Sequence, residues 1–183
     1  FRLSLQKLFV GQIIWQELQY VNRSVITTLT MMLSIKRNGG IAMAHLLMIE
    51  SWVGASGNLL PPLLRELGHS YTFVTRKASH YQNPMSSEKH AVFRYADDVV
   101  ETETNDLQQL IESVRHVRFD GVITVCDYYI ETVCEVAKAY NVPCPFSANV
   151  KTARQKHLMR QAVDRAGLSN PKYMLAYNWE EVE

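Results

Sequence analysis

The sequence predicts an α/β fold, a doubly wound and mainly parallel sheet, for the part of the chain that follows residue 42. Short apolar runs alternate there with longer amphipathic segments, which is the pattern of βα units. One short run, at residues 121–126, is rich in β-branched residues, as is typical of a strand buried on both faces. Gly68 and Gly167 each follow an amphipathic segment, at the position where a left-handed residue commonly ends a helix.

The first βα unit contains a candidate ligand site. Residues 46–50 are predicted as a strand and residues 59–67 as a helix, with Pro61 and Pro62 in the first turn because proline is tolerated there. Open α/β sheets bind ligands where a strand passes into a helix, and the N–H groups at a helix start attract anions. We therefore expect the small-residue loop at residues 51–58 to line a substrate crevice; the alternative is a plain structural turn. The candidate crevice residues in this loop are Ser51, Gly54, Ser56 and Gly57.

The same alternation predicts the rest of this unit, which closes near residue 147. The next elements are a strand at residues 70–75, a polar loop at 76–90, a strand at 98–101 and a helix at 106–117. The β-branched run at residues 121–126 is expected at the centre of the sheet. Asp127 follows it and is predicted to cap a helix through residue 140, with a substrate contact as the alternative. Residues 142–146 contain two prolines and are predicted as an edge strand.

A second domain is expected to begin with a basic helix. Residues 149–166 are rich in Lys, Arg and Gln, and Gly167 ends the helical pattern. A strand at residues 172–177 and the start of another helix at residues 179–181 should follow. Because the chain stops inside that element, we expect a truncated domain at residues 148–183 after the α/β domain at residues 43–147.

Residues 1–42 differ in character from the rest of the chain. Met43 stands directly before the first strand pattern, and Gly39 and Gly40 can be encoded by a ribosome-binding sequence just upstream of a Met43 start codon. We therefore expect an untranslated leader read in frame. The alternative is a genuine helical extension, since residues 8–21 show apolar spacing at three and four.

Composition argues against several classes of partner. The 19 basic and 18 acidic residues are interspersed and give a formal net charge of +1, so no broad field attracts nucleic acid or an anionic membrane. No apolar run reaches the roughly 18 residues of a membrane span.

The three cysteines are spaced by eight and ten residues, which suits neither a disulfide framework nor a zinc site, and they are interpreted as reduced thiols of a cytoplasmic protein. The scattered histidines are expected at the surface or as caps, and no metal site is predicted.

One motif in the basic helix gives a more specific indication. The stretch Arg-Gln-Lys-His-Leu-Met-Arg-Gln-Ala-Val-Asp-Arg-Ala-Gly-Leu-Ser-Asn-Pro, at residues 154–171, follows the predicted α/β unit. The order of the predicted α/β unit and this motif resembles the start of ATP-grasp enzymes. In that family a Rossmann-like pre-ATP-grasp domain precedes the nucleotide-binding domain. The resemblance covers residues 44–183 and is nearest to carboxylate–amine ligases and biotin carboxylase.

The resemblance implies a reaction, its cofactors and one binding residue. ATP with Mg²⁺ would phosphorylate a small-molecule carboxylate, and an amine would displace phosphate from the acyl phosphate. Lys156 occupies the place of the lysine that reaches the ATP phosphates, a role that suits an ammonium on a flexible stem. From the helical spacing alone, Arg160 is expected to form an ion pair with Asp164 at i+4, and the alternative is that it assists Lys156 on the same face. The family's acidic metal ligands and Gly-rich loop are missing, so no catalytic residue is assigned and the chain alone should be inactive.

Two other functions stay open from the sequence. The chain could be a non-catalytic substrate-binding or dimerisation module, because pre-ATP-grasp domains commonly contribute to dimer contacts and to the substrate crevice. It could also be a different doubly wound protein, such as a receiver domain, since fold does not fix function. A receiver needs an acidic pair after the first strand, whereas Glu50-Ser51 supplies one carboxylate.

Overall fold

The structure, a computed structural model, describes residues 43–82, 88–146 and 150–182. The chain divides into two compact units, with the boundary between Pro145 and Phe146. The leader or helical extension expected over residues 1–42 lies outside the described residues.

The first unit is built on a four-stranded sheet in the order β3-β2-β1-β4, and every pair of neighbours is parallel. The strands are β1 (His45–Ile49), β2 (Ser70–Thr75), β3 (Asp98–Glu101) and β4 (Gly121–Ile123). Residues Leu46 to Ile49 of β1 are at most 2% exposed. Because successive side chains of a strand point to opposite faces, β1 is buried on both faces, as expected of a parallel sheet. The predicted α/β fold with a parallel sheet is confirmed.

Helices lie between these strands and after the last of them. They are α1 (Ala55–Glu66), α2 (Ala91–Arg94), α3 (Leu107–Ser113) and α4 (Ile130–Tyr140), with 3₁₀ turns at Ala78–Tyr81 and Asp127–Tyr129. Gly68 follows α1 with a φ of +80°, so its predicted left-handed conformation is confirmed. The short α2 was not predicted. His90 caps it, since the imidazole Nδ1 accepts the Val92 N–H at 3.3 Å. His69, expected at the surface or as a cap, is instead 3% exposed.

The first helix begins four residues earlier than predicted. Its N-cap is Gly54, and the Asn58 N–H and side-chain amide both donate to the Gly54 carbonyl, at 3.3 and 3.1 Å. These bonds close an additional first turn. Pro61 and Pro62 therefore lie inside the helix rather than at its start, where their missing N–H groups remove two helical hydrogen bonds.

The strand predicted at residues 121–126 is shorter and lies elsewhere in the sheet. It ends at Ile123 and pairs only with β1 among the described residues, so it is not the central strand. The Thr124 hydroxyl oxygen accepts the Cys126 N–H at 3.0 Å. This local bond turns the backbone out of the ladder, as Ser and Thr side chains commonly do.

Two further predicted strands are absent from the described part of the chain. Residues 142–146 run without ladder bonds because Pro143 and Pro145 lack N–H donors, and the prediction of an edge strand was wrong. Residues 172–177 also form no strand there, and residues 179–182 form a turn rather than a helix.

The second unit contains two helices where the sequence predicted one. They are α5 (Val150–Arg154) and α6 (Lys156–Arg165). Gln155 separates them with an extended conformation, φ −96° and ψ 110°. Gly167 has a φ of +65° and ends the helical segment as predicted. No helix within the described ranges is long and apolar enough to cross a membrane.

Candidate functional site

Glu50, directly after β1, is the centre of a hydrogen-bond network at the carboxyl edge of the sheet. The residue is 5% exposed, and its φ of +49° lies in the left-handed region. Non-glycine residues seldom adopt that region, and those that do cluster at functional sites. Its carboxylate accepts hydrogen bonds from the hydroxyls of Thr75 (3.0 Å), Tyr81 (2.6 Å) and Thr104 (2.9 Å) and from the Arg76 N–H (2.6 Å).

These partners lie at the carboxyl ends of the other strands or in the segments that follow them. Thr75 is the last residue of β2, and Thr104 follows β3. Thr124, directly after β4, donates its hydroxyl to the Glu50 carbonyl at 3.3 Å. One residue thus connects the carboxyl ends of all four described strands. Ligands of open α/β sheets bind outside this edge, so Glu50 fixes the loops that a ligand would meet.

The Tyr81 hydroxyl stays protonated within this network. Burial raises its pKa, and the hydrogen bond to the Glu50 carboxylate and the charge on that carboxylate raise it further. The hydroxyl also accepts the Ser51 N–H at 2.8 Å. Tyr81 therefore joins the carboxylate to the loop after β1 and acts as a positioning residue rather than as a proton carrier.

The predicted crevice loop packs tightly against the start of α1. A Cβ on Gly57 would lie 1.7 Å from the Trp52 carbonyl oxygen and 2.9 Å from Ser51 Oγ, so glycine is required there. Ser51 is buried, and its Oγ has no hydrogen-bond partner in the described part of the protein. A buried hydroxyl without a partner is costly, so Ser51 Oγ is a position where a bound water or ligand would be stabilising.

The outer side of the same loop is apolar and exposed. Trp52 and Val53 are 54% and 56% exposed. Gly54 is the N-cap of α1 and carries no capping side chain, and Ser56 is half-buried in the first turn. The loop therefore combines a helix start that has no side-chain cap with exposed apolar side chains. The four predicted crevice residues Ser51, Gly54, Ser56 and Gly57 lie together.

Asp127 lies after the neighbouring strand β4, at the same edge of the sheet. The prediction that it caps the following helix was wrong, because a 3₁₀ turn precedes α4 and neither element receives a capping bond from its side chain. Asp127 is exposed. Since β1 and β4 are adjacent and parallel, the loops that follow them share one edge of the sheet.

A cavity of about 420 Å³ opens beside the crevice loop, and no sequence pattern indicated it. Its lining comprises Val53, Asn58, His80, Tyr81, Gln82, Glu88, Lys89, His90 and Arg94. Burial lowers the pKa of His90, which keeps the imidazole neutral. Its Nδ1 accepts the Val92 N–H, so Nε2 carries the proton and lies 3.3 Å from the Val53 carbonyl oxygen. The segment predicted only as a polar loop thus forms a cavity wall.

In the second unit, Lys156 is exposed and is the first residue of α6. The N-cap Gln155 makes no capping side-chain bond, and no acidic residue occupies the first turn. The first N–H groups of a helix and an exposed ammonium together suit a phosphate. Lys156 is in a different unit from the crevice loop.

The predicted ion pair between Arg160 and Asp164 does not form. The Arg160 guanidinium donates to Asn170 Oδ1 at 3.0 Å, and the Asn170 amide donates to Asp164 Oδ1 at 2.7 Å and to the Arg160 carbonyl at 3.0 Å. Asn170 thus forms hydrogen bonds with both side chains. Through these bonds Arg160, Asp164 and Asn170 hold the segment after Gly167 against α6.

Comparison with solved structures identifies the fold. The chain is similar to an L-amino acid ligase from Bacillus licheniformis, with a TM-score of 0.56 at 20% identity over 78% of this chain and 36% of that one. It is also similar to a phosphoribosylglycinamide synthetase from Anaerococcus prevotii (TM-score 0.54, 17% identity, 76% of this chain and 33% of that one). A third match is a glycinamide-RNase-transformylase T from Mycobacterium tuberculosis (TM-score 0.53, 19% identity, 75% and 37%).

The chain has the fold of the corresponding part of ATP-grasp ligases. The resemblance inferred from the motif is thereby confirmed for the fold. At identities of 20% or less, the comparison shows the fold and nothing further. The chain spans about a third of the length of these ATP-grasp structures. No protein-family model matches the sequence, and no curated protein matches it.

Proposed function

We propose that this chain is the N-terminal part of a cytoplasmic ATP-grasp ligase that joins a small-molecule carboxylate to an amine. The observation that carries the proposal is the shared fold, with a TM-score of 0.56 to an L-amino acid ligase. The motif around Lys156 supports it separately, because the motif is a feature of the sequence and does not depend on the fold. The spans of 33–37% of the matched ligases fit a contribution to a longer enzyme.

The proposed reaction has two steps. A carboxylate oxygen attacks the γ-phosphorus of ATP, the bond to the leaving ADP oxygen breaks, and an acyl phosphate forms. The amine then attacks the acyl carbon, inorganic phosphate leaves, and the nitrogen loses a proton. On this proposal the first unit lines the substrate crevice through Ser51, Gly54, Ser56, Gly57 and Asp127, while Lys156 binds the ATP phosphates.

Mg²⁺ would neutralise the charge on the phosphates in such an enzyme. Among the described residues no three His, Cys, Asp or Glu side chains converge. Because Mg²⁺ on a nucleotide commonly takes only one or two carboxylates beside the phosphates, its protein ligands are not assigned. Since the chain spans about a third of the matched structures, we expect it alone to produce no turnover.

The first test is the reading frame that follows Glu183 in the source DNA. The ligase proposal expects a continuation that encodes a Gly-rich loop and acidic metal ligands. The extended protein, incubated with MgATP, a panel of amino acids and hydroxylamine, should release ADP and yield acyl hydroxamates, which trap the acyl phosphate. A frame without these features, or an extended protein that releases no ADP, would overturn the ligase proposal. Ligand binding without turnover would favour a binding module.

The role of Lys156 is tested in the same assay. Lys156→Ala should raise the KM for ATP because an ammonium that contacts phosphate is lost. Lys151→Ala is the matched control, since Lys151 is likewise exposed and basic on the preceding helix. Equal KM values for both variants would exclude the assignment of Lys156.

A further inference from the structure

The fold brings two cysteines together that the sequence spacing did not suggest as partners. Cys134 lies in α4, and Cys144 lies in the segment that follows it. Their Sγ atoms are 2.9 Å apart. Both residues are half-buried, and both are free thiols in this structure. This distance leaves no room for another atom between the two sulfurs.

The backbone after α4 holds this arrangement in place. Asn141 adopts a φ of +53° and reverses the chain, and the Val142 N–H bonds to the Ala137 carbonyl at 2.9 Å. Cys144 then stands between Pro143 and Pro145, which fix their own φ angles and restrict the residue before each of them. Cys144 therefore has few alternative backbone conformations, and its side chain faces α4.

We propose that Cys134 and Cys144 are a modification site, at which a small-molecule disulfide such as oxidised glutathione forms a reversible intramolecular disulfide. The bond would close a short loop and fasten the segment that ends at the boundary between Pro145 and Phe146. In a reducing compartment, disulfides of this kind are usually transient and redox-sensing rather than structural. The inference is independent of the proposed ligase activity.

The chemistry proceeds by two thiol–disulfide exchanges. The Cys144 thiolate attacks oxidised glutathione, forms a mixed disulfide and releases one glutathione thiolate. The Cys134 sulfur, after losing its proton to base, attacks the Cys144 sulfur and releases the second glutathione. Two protein thiols are oxidised, and one glutathione disulfide is reduced to two thiols.

The order of these steps follows from the environment of Cys134. Burial, together with the hydrogen bond and charge of Cys144, raises the pKa of Cys134 to about 12. This shift favours the protonated form of Cys134 in the reduced pair, so the first attack is assigned to Cys144. Because each step needs a thiolate, disulfide formation should be faster at pH 9 than at pH 7.

The test uses the full chain with its three cysteines. Reduced protein is incubated with oxidised glutathione, quenched by alkylation in denaturant and measured by intact mass and peptide mapping. We expect two of the three thiols to be lost, a 134–144 cross-linked peptide, and complete reversal by dithiothreitol. The oxidised protein should also be cleaved more slowly by proteases within residues 142–146.

Three variants make the result specific. Cys134→Ser and Cys144→Ser should abolish the cross-link, and Cys134→Ser should accumulate a glutathione adduct on Cys144. Cys126→Ser is the matched control and should form the cross-link at the rate of the unmodified chain, because Cys126 lies before the 3₁₀ turn at Asp127–Tyr129 and its thiol is not part of the pair. Retention of all three thiols, or a cross-link that involves Cys126, would overturn the proposal.

Discussion

The Tyr81 hydroxyl donates a hydrogen bond of 2.6 Å to Glu50 Oε2 while it accepts the Ser51 N–H at 2.8 Å. One side chain thus connects a buried carboxylate to the loop of the candidate crevice. Buried charges require hydrogen-bond partners, and this carboxylate receives four, so the loss of one donor should have a measurable effect.

Tyr81→Phe should destabilise the first unit. The change leaves the carboxylate one donor short and the Ser51 N–H without its acceptor. We expect the free energy of unfolding, measured by urea denaturation, to fall by about 1.5–3 kcal/mol, the usual value of a hydrogen bond to a charged group. Tyr177→Phe removes the same hydroxyl from a residue that is 82% exposed and should change stability little. Equal effects of the two variants would contradict the role of Tyr81.

Gly57→Ala should also destabilise the first unit, although alanine favours helices over glycine by about 1 kcal/mol. The new methyl group would lie 1.7 Å from the Trp52 carbonyl oxygen, so the backbone must move. Overpacking of this kind costs about 1–3 kcal/mol, measurable by thermal or urea unfolding.

Gly54→Ala is the matched control for that change. Its methyl group would meet only side-chain atoms of Trp52, at 3.0 and 3.1 Å, and that side chain is exposed and can rotate away. A Gly57→Ala protein as stable as Gly54→Ala would show that the loop after β1 adapts freely.

His69 should make stability depend on pH below neutrality. Burial lowers its pKa, so the folded state favours the neutral imidazole, whose Nδ1 accepts the Ala44 N–H at 3.2 Å. The unfolded state therefore binds the proton more readily. The contribution of neutral His69 to the free energy of unfolding is complete above the ordinary histidine pKa of about 6.5. It is lost as the pH falls towards the lower folded pKa, by at most about 1.4 kcal/mol per pH unit.

His69→Asn supplies the comparison, because its side-chain oxygen can accept the same N–H but does not titrate. Urea denaturation at pH 7.5 and pH 5 should show a larger loss of stability for the unmodified chain than for the variant. Identical losses would mean that His69 contributes nothing to the pH dependence.

Asn170→Ala should loosen the second unit. Asn170 bridges Arg160 and Asp164 through three hydrogen bonds, and its removal leaves both charged side chains without these partners. We expect faster amide hydrogen exchange in α6, by about tenfold if a net 1.4 kcal/mol is lost. Gln161→Ala, at an exposed position of the same helix, should leave exchange unchanged. Similar exchange in both variants would exclude the proposed bridge.

Where nearby residues determine the end of a helix or strand, the local sequence pattern was enough to predict that end. The strands at residues 70–75 and 98–101 were predicted with their observed boundaries, and Gly68 and Gly167 end their helices in the left-handed conformation. The β-branched run misled the prediction because Thr124 satisfies a backbone N–H through its own hydroxyl and ends β4 early.

The centre of the candidate site could not be predicted, for a different reason. A glutamate after a strand is usually solvated, and nothing near Glu50 in the sequence indicates burial. Its partners Thr75 and Thr104 are 25 and 54 residues away. The proximity of Cys134 and Cys144 likewise depends on a chain reversal at Asn141 that the spacing of the cysteines does not encode.

These long separations have a consequence for how the protein is synthesised and folds. The Glu50 carboxylate gains all four donors only after Thr104 has joined the sheet edge, and its carbonyl gains the Thr124 hydroxyl later still. Contacts so distant in sequence form slowly, because a large loop must close before they contribute. During translation, the edge of the sheet that holds the candidate crevice can therefore gain its full set of hydrogen bonds only after residue 124 has left the ribosome.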